Sequence, residues 1–422
     1  MKLRFIQGLL LATLFTGLLA GESKGLQSKD QSTLLVVLLM VKNEKEVIIP
    51  TLQTLVSKNV STSKEVAYIL YDTGSTDGTD TLAKEFFVLE GIKKYRIAKD
   101  EFVDFSTSRN RALKLARKSY PSATFILFPD AEWYLHNFDD LLDFCRNKRA
   151  EYAQGVTPPP YYRIRMGRTE YMSLTPRLFL TQDPVEFEGV VHECPTSYSG
   201  ENVPEPVYFD IGSSRFGSEK SQKRWFRDRE LLLKDLQEHP DNPRTALYLG
   251  LTEMWIKDYE NAYIHLKQRV TMSSFPQEEY WALYNLAELV ETLSIEKPGT
   301  YFWREAQDYY LQAYQMRPHR AEPLVRIARH YAEKNEYATS YLYARRAAEL
   351  PLPSIEEEVL PVFTRVYSFE RWELLSRVAW FVKDYELGER AVKMAIEAEP
   401  NATYLYNTLS YYWERKSKTE KA

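Results

Sequence analysis

The chain has 422 residues, 44% of them hydrophobic and 27% charged, with a formal net charge of −4. That length predicts two or three domains with a sizeable core, and the apolar content excludes a mainly disordered chain. The near-balanced charge argues against a nucleic-acid binder working through a broad basic face.

The N-terminus, "MKLRFIQGLLLATLFTGLLAGESKG" (1–25), places Lys2 and Arg4 before an apolar run from Leu9 to Ala20. This is the layout of a secretory signal, and the run is short for a membrane span of roughly 20 residues. It predicts a cleaved signal peptide or an uncleaved anchor, and so a secretory-lumen, secreted or membrane-anchored protein. Cys145 and Cys194 are too few for a disulfide framework and lack zinc-site spacing; one bridge or two reduced thiols both remain open. Asn59-Val-Ser61 and Asn401-Ala-Thr403 are glycosylation sequons, a pattern that also arises by chance.

Three continuous apolar runs follow: "LLVVLLMV" (34–41), "VAYILYD" (66–72) and "ATFILFPD" (123–130). Such runs suit strands buried on both faces of a parallel sheet. Helical patterns lie between them at "EKEVIIPTLQTLVS", at "TDTLAKEFF" with Thr79 as its cap, and at "STSRNRALKLARKSY" with Ser106 as its cap. Strand–helix alternation predicts an α/β domain whose ligand binds beyond the carboxyl ends of the strands. There the runs end in Lys42-Asn43-Glu44, Asp72 and Asp130.

"YDTGSTDGT" (71–79) admits two chemistries. Asp-Thr-Gly-Ser is an aspartic-protease signature, but that enzyme needs two carboxylates sharing a proton, and this chain has one copy followed by a helical pattern. Alternatively Gly74 and Gly78 allow a tight polar loop near a ligand, with Asp72 accepting from a base or ribose. A plain capping turn uses the same residues. In "FPDAEWYL", Asp130 and Glu132 would point the same way on an extended segment, and two carboxylates at the ligand edge suit a hard divalent cation. An acidic loop after a strand is the plainer reading.

Five blocks, "VKNEKEVIIPTLQTL" (41–55), "LYDTGSTDGT" (70–79), "DFSTSRNRAL" (104–113), "FILFPDAEW" (125–133) and "RLFL…FEGVVHE" (177–193), together resemble family 2 glycosyltransferases with the A-type nucleotide-sugar fold. The resemblance implies sugar transfer from a nucleotide-sugar, a UDP-sugar first among the donors, with Mg²⁺ or Mn²⁺. It implies that Asn43, Glu44, Asp72, Arg109 and Asp130 line the donor pocket. Asp130 and Glu132 stand at the family's Asp-x-Asp motif, with His192 as a third metal ligand or a phosphate contact. Glu193 or Glu188 would be the base. Where this chain has Glu132, the family usually has Asp, often followed by an acidic residue where this chain has Trp133.

The second half is helical and repetitive. Gly250, Ala328 and Ser376 are each followed 12 residues later by Ala262, Ser340 and Gly388, and 7 further on by Arg269, Ala347 and Ala395. Ala287 reaches Ala306 only after 19 residues, with extra sequence around "EKPGTYF", and Ala313 then follows at 7. Pro318 and Pro400 each close a unit. The pattern resembles tetratricopeptide repeats, whose small residues let paired helices pack closely, and predicts four units in an α-solenoid. The basic stretch Arg317–Arg320 is read either as a solvated turn or as an anion or peptide contact.

The combined expectation is an α/β Rossmann-like nucleotide-sugar-binding domain over residues 30–217 followed by an all-α tetratricopeptide-like solenoid over 218–422. Its function would be inverting, metal-assisted glycosyl transfer to a glycan or protein acceptor held by the repeats, without nucleic acid. The rival is a non-enzymatic repeat scaffold with a degenerate glycosyltransferase domain, and the aspartic protease stands as a remote alternative.

Overall fold

A computed structural model describes residues 33–58, 62–167, 171–183, 185–197, 199–211, 219–354, 356–358 and 360–420. The N-terminal segment expected to be a signal or anchor and the Asn59 sequon lie outside the described residues. Among those described, no helix is long and apolar enough to cross a membrane.

The first half runs β1 (Leu35–Val41), α1 (Ile48–Thr54), β2 (Val66–Asp72), α2 (Thr79–Leu89), β3 (Tyr95–Lys99), α3 (Phe105–Ser119), β4 (Phe125–Leu127), β5 (Trp133–His136), α4 (Phe138–Ala153), β6 (Tyr161–Met166) and β7 (Tyr171–Leu180). The short strands β8 (Phe187–Glu188), β9 (Cys194–Pro195), β10 (Glu201–Asn202) and β11 (Tyr208–Ile211) complete it. The main sheet has the order β3-β2-β1-β4-β7-β6-β11-β5.

The first four of these strands are parallel, as the apolar runs predict, and then β7 pairs antiparallel with β4. The sheet is therefore mixed rather than parallel throughout. Residues of β1 divide between two cores. Leu35, Val37 and Leu39 pack with α1, α2 and α4, while Val36 and Leu38 face α3. Helices on both faces explain why the strand reads as unbroken hydrophobe. Burial of each such Leu or Val contributes about 1.5–3 kcal/mol.

Two expected caps are displaced by nearby carboxylates. Asp104, in extended conformation, caps α3 by accepting from the Thr107 amide at 2.7 Å, and Ser106 is already helical. At α2, Gly78 precedes the helix with φ 88°, and Asp77 accepts from the Thr79 amide at 3.0 Å. Thr79 instead accepts from the Glu44 amide at 2.8 Å, joining two loops.

The second half opens with α5 (Glu219–Glu238), followed by the pairs α6/α7 (Pro243–Trp255, Tyr259–Arg269), α8/α9 (Pro276–Glu296, Trp303–Met316) and α10/α11 (Glu322–Glu333, Tyr337–Glu349). After β12 (Val362–Phe363) come α12/α13 (Arg371–Phe381, Tyr385–Ala398) and α14 (Thr403–Glu420). Four helix pairs thus coincide with the four small-residue patterns. Ala262, Ala287, Ala306, Ala328 and Ala395 are fully buried where helices meet. At Gly250 even a methyl group would come within 2.6 Å of Leu266 Cγ. The long spacing after Ala287 is shared between α8, which runs on to Glu296, and the longer connection over 297–302 before α9.

Among the described residues the halves meet through an apolar contact and a strand pairing, besides the polar contacts described below. Val191 packs with Leu232 of α5 and Leu249 of α6. In addition, β12, from the loop between α11 and α12, pairs antiparallel with the start of β7.

The Arg317–Arg320 stretch is not an open anion site. Arg317 donates to Glu358 at 2.5 Å, Arg320 donates to Glu358 at 3.0 Å and to Glu322 at 2.8 Å, and the Arg320 side chain is fully buried. Its charges are neutralised inside the solenoid by carboxylates that lie close in sequence or across the α11–α12 loop.

Candidate functional site

The site lies beyond the carboxyl ends of β1, β2 and β4, where β1 separates strands whose connections run to opposite sides. Asn43, at φ 56°, clamps the loops after β1 and β2: its side-chain carbonyl accepts from the Thr76 amide at 2.8 Å, and its amide donates to Ser75 Oγ at 3.0 Å. Glu44 contributes its amide to Thr79. Asp72 is buried. One of its oxygens accepts from the amides of Gly74 (3.1 Å) and Ser75 (2.7 Å), which shapes the turn, while Oδ2 has no hydrogen-bond partner. A buried carboxylate oxygen without a donor is costly unless a ligand supplies one.

Asp130 and Glu132 are not on one extended segment. The chain turns at Ala131–Glu132, closed by the Trp133 amide donating to the Asp130 carbonyl at 3.1 Å, and Thr51 of α1 donates to the Ala131 carbonyl. The two carboxylates consequently meet different arginines. Asp130 pairs with Arg109 and lies 3.8 Å from Arg177, whereas Glu132 lies 3.9 Å from Arg224 of α5. Burial disfavours the Asp130 charge, but the Arg109 and Arg177 guanidiniums outweigh it and hold the carboxyl below the usual carboxylate range.

Arg109, expected to reach the donor, is buried between Asp130 and Glu193, with its guanidinium over the Phe128 ring at 4.8 Å. It positions the two carboxylates, and Nη1 alone is left without a hydrogen-bond partner. Glu193 is therefore committed to an ion pair. Glu188 is exposed on β8, 3.8 Å from the Cys194 thiol.

His192, at φ 52°, stacks on Tyr248 at 4.3 Å and lies 5.7 Å from Trp255, both on α6. His192 is exposed, but the rings packed on it and the nearby Arg244 and Arg224 guanidiniums disfavour the imidazolium and push its pKa down, so it is neutral at pH 7. Among the described residues no three His, Cys, Asp or Glu side chains converge as a metal site, so His192 does not join the acidic pair. The donor chemistry of Asp130 and Glu132 still fits Mg²⁺ or Mn²⁺, since such ions are often held by one or two carboxylates plus substrate phosphates.

The helical half supplies the rest of the wall: Arg224, Arg227 and Asp228 from α5, and Tyr248 and Trp255 from α6. Asp228 is buried, and burial pushes its carboxyl up to about 6; Arg227 and Arg224 oppose the shift and Glu193 adds to it. Arg227 lies over Phe102 at 4.6 Å. Sequence reasoning missed Arg177, Arg224 and Asp228. The charged run "KRWFRDRE" (223–230) was the available signal, but nothing local distinguishes it from a solvated helix face.

Residues 36–201 match glycosyl transferase family 2. Among solved structures, the chain is similar to a tetratricopeptide repeat protein from Parabacteroides merdae, with 15% identity over 48% of this chain and 71% of that one and a TM-score of 0.33. It is also similar to a thermophilic TPR protein of Thermus thermophilus, with 16% identity over 46% and 93% and a TM-score of 0.31. No curated protein sequence matches the chain.

Proposed function

We propose that this chain, whose residues 36–201 form a glycosyl transferase family 2 domain, transfers a sugar with inversion from a nucleotide-sugar, a UDP-sugar first among the candidates, to a glycan or protein acceptor. The observation that carries this reading is the pairing of Asp72, with its unpartnered buried oxygen, and the Asp130/Glu132 edge across β1. Asp72 would accept from the base or ribose of the nucleotide, and the loop clamped by Asn43 and Glu44 would hold that oxygen in place. Asp130 and Glu132 would hold a divalent cation, which when bound neutralises diphosphate charge. Arg109 and Arg177 keep Asp130 ionised and fixed for that task. The single Asp-Thr-Gly copy, followed after four residues by α2, supports this reading over a protease.

Calorimetric titration of the full chain with UDP, together with UDP release from UDP-glucose and UDP-N-acetylglucosamine in Mg²⁺, tests the reading. Binding and release are expected. UDP binding without turnover would favour the degenerate scaffold, and absence of both would remove the glycosyltransferase reading.

A further inference from the structure

Family 2 chemistry needs a carboxylate that can accept the acceptor's proton. Of the two carboxylates expected for this role, Glu193 is engaged by Arg109 and Glu188 is exposed on a short strand. A third carboxylate enters from the other half of the molecule. Asp228 on α5 is 5% exposed, and its Oδ1 has no hydrogen-bond partner. Arg224 and Arg227 stand 4.0 and 3.9 Å from its two oxygens, too far for hydrogen bonds. The same Arg224 reaches Glu132 at 3.9 Å, and the charge of Glu193 is felt at Asp228. Asp228 is thus linked through Arg224 to Glu132 and lies within the field of Glu193, and its own ion pairs with Arg224 and Arg227 are long and leave Oδ1 without a hydrogen bond.

We propose that Asp228 is the base that activates the acceptor, so that the repeat half completes the catalytic site. The inference rests on the glycosyltransferase reading above. In the step, an acceptor hydroxyl gives its proton to the Asp228 carboxylate. The hydroxyl oxygen forms the bond to the anomeric carbon, and the carbon–oxygen bond to the diphosphate breaks with its electron pair leaving on the nucleoside diphosphate. One displacement inverts the anomeric centre. Arg224 and Arg227 hold the carboxylate ionised at neutral pH against burial and against the nearby Glu193. A base that titrates near 6 is largely ionised at pH 7 and close to the operating pH, where general-base catalysis is most effective.

The test uses the full chain and water as acceptor. UDP affinity and UDP release from UDP-glucose and UDP-N-acetylglucosamine are compared for wild type, Asp228→Asn and Asp228→Glu between pH 5 and pH 8. Asp228→Asn is expected to bind UDP within about twofold of wild type but to release it about a hundredfold more slowly, the scale of a lost general base, and to lose the acidic limb of the rate profile. Asp228→Glu, which keeps the carboxylate, should recover part of the rate and the limb. Equal kcat and an unchanged profile in Asp228→Asn overturn the proposal, as does a parallel loss of UDP affinity in both variants, which would mark a structural residue. An active wild type with an equally active Asp228→Asn overturns the base assignment alone; wild type that binds UDP but turns over neither donor, or does neither, overturns the underlying function as well.

Discussion

Arg224, on the first helix of the repeat half, stands 3.9 Å from Glu132, at the acidic edge of the sheet. Glu132, which the sequence resemblance sets where family 2 glycosyltransferases usually carry Asp, therefore faces an arginine from the other half. Glu has one more methylene than Asp, and the longer arm suits a contact made across a domain seam. Together with the Val191–Leu232–Leu249 packing, this contact makes the helical half part of the site's wall.

If Asp130 and Glu132 hold a divalent cation, EDTA should abolish UDP release from a UDP-sugar, and added Mg²⁺ or Mn²⁺ should restore it. Asp130→Asn should lower kcat by about a hundredfold or more, the scale of a lost transition-state electrostatic contact, while Glu132→Asp should stay active. Unchanged turnover in EDTA would rule the cation out.

Asp72→Asn keeps an acceptor for the Gly74 and Ser75 amides and removes the charge. UDP binding should weaken by about 1.5–3 kcal/mol, the scale of a hydrogen bond to a charged group, with little change in melting temperature. A calorimetric Kd equal to that of wild type would count against Asp72 as a donor contact.

Asp228 should leave a signature in stability as well. Its folded-state pKa of about 6 lies above an unfolded value near 3.9. The folded protein binds that proton more tightly, so the stabilisation is fully present below about pH 4 and is lost as pH rises through about 6. The difference is about 2–3 kcal/mol. Urea midpoints from pH 4 to pH 7 should therefore show Asp228→Asn gaining on wild type as pH rises; parallel curves would contradict the shift.

Arg320 is fully buried between Glu322 and Glu358. Arg320→Met should destabilise the protein by about 3–5 kcal/mol, because buried Glu322 keeps only the Tyr367 hydroxyl and Glu358 falls back on Arg317 and His319. Replacing Glu322 by Gln in the same chain should recover much of the loss. Denaturant midpoints for the single and combined variants decide the point.

Gly388 lets α13 meet α14: an added Cβ would come 2.0 Å from the Tyr412 hydroxyl, which donates to the buried Ser376 carbonyl. Gly388→Ala should lower the melting temperature despite Ala's better helix propensity, because overpacking costs about 1–3 kcal/mol against about 1 kcal/mol gained. A higher melting temperature would show that Tyr412 yields freely.

The sequence alone determined the elements that rest on local pattern. Unbroken apolar runs marked β1 and β2 because both sheet faces are covered, and small residues 12 apart marked helix pairs because they permit the close approach of paired helices seen at Gly250. The loop motifs marked Asn43, Asp72 and Asp130 because each ends or follows a strand at the carboxyl edge of the sheet. Tertiary structure decided what depends on contacts between distant segments. Antiparallel β7 turned an expected parallel sheet into a mixed one, and Glu358 enclosed a basic stretch that had two open readings. Arg109 became a partner of Asp130 and Glu193 across the fold, and His192 packed on Tyr248 instead of joining the acidic pair. Arg224 and Asp228 reached the site only because α5 folds back on the sheet edge. Charge pairing and desolvation are set by which groups are brought together in space, and for these residues the partners lie far away in the chain.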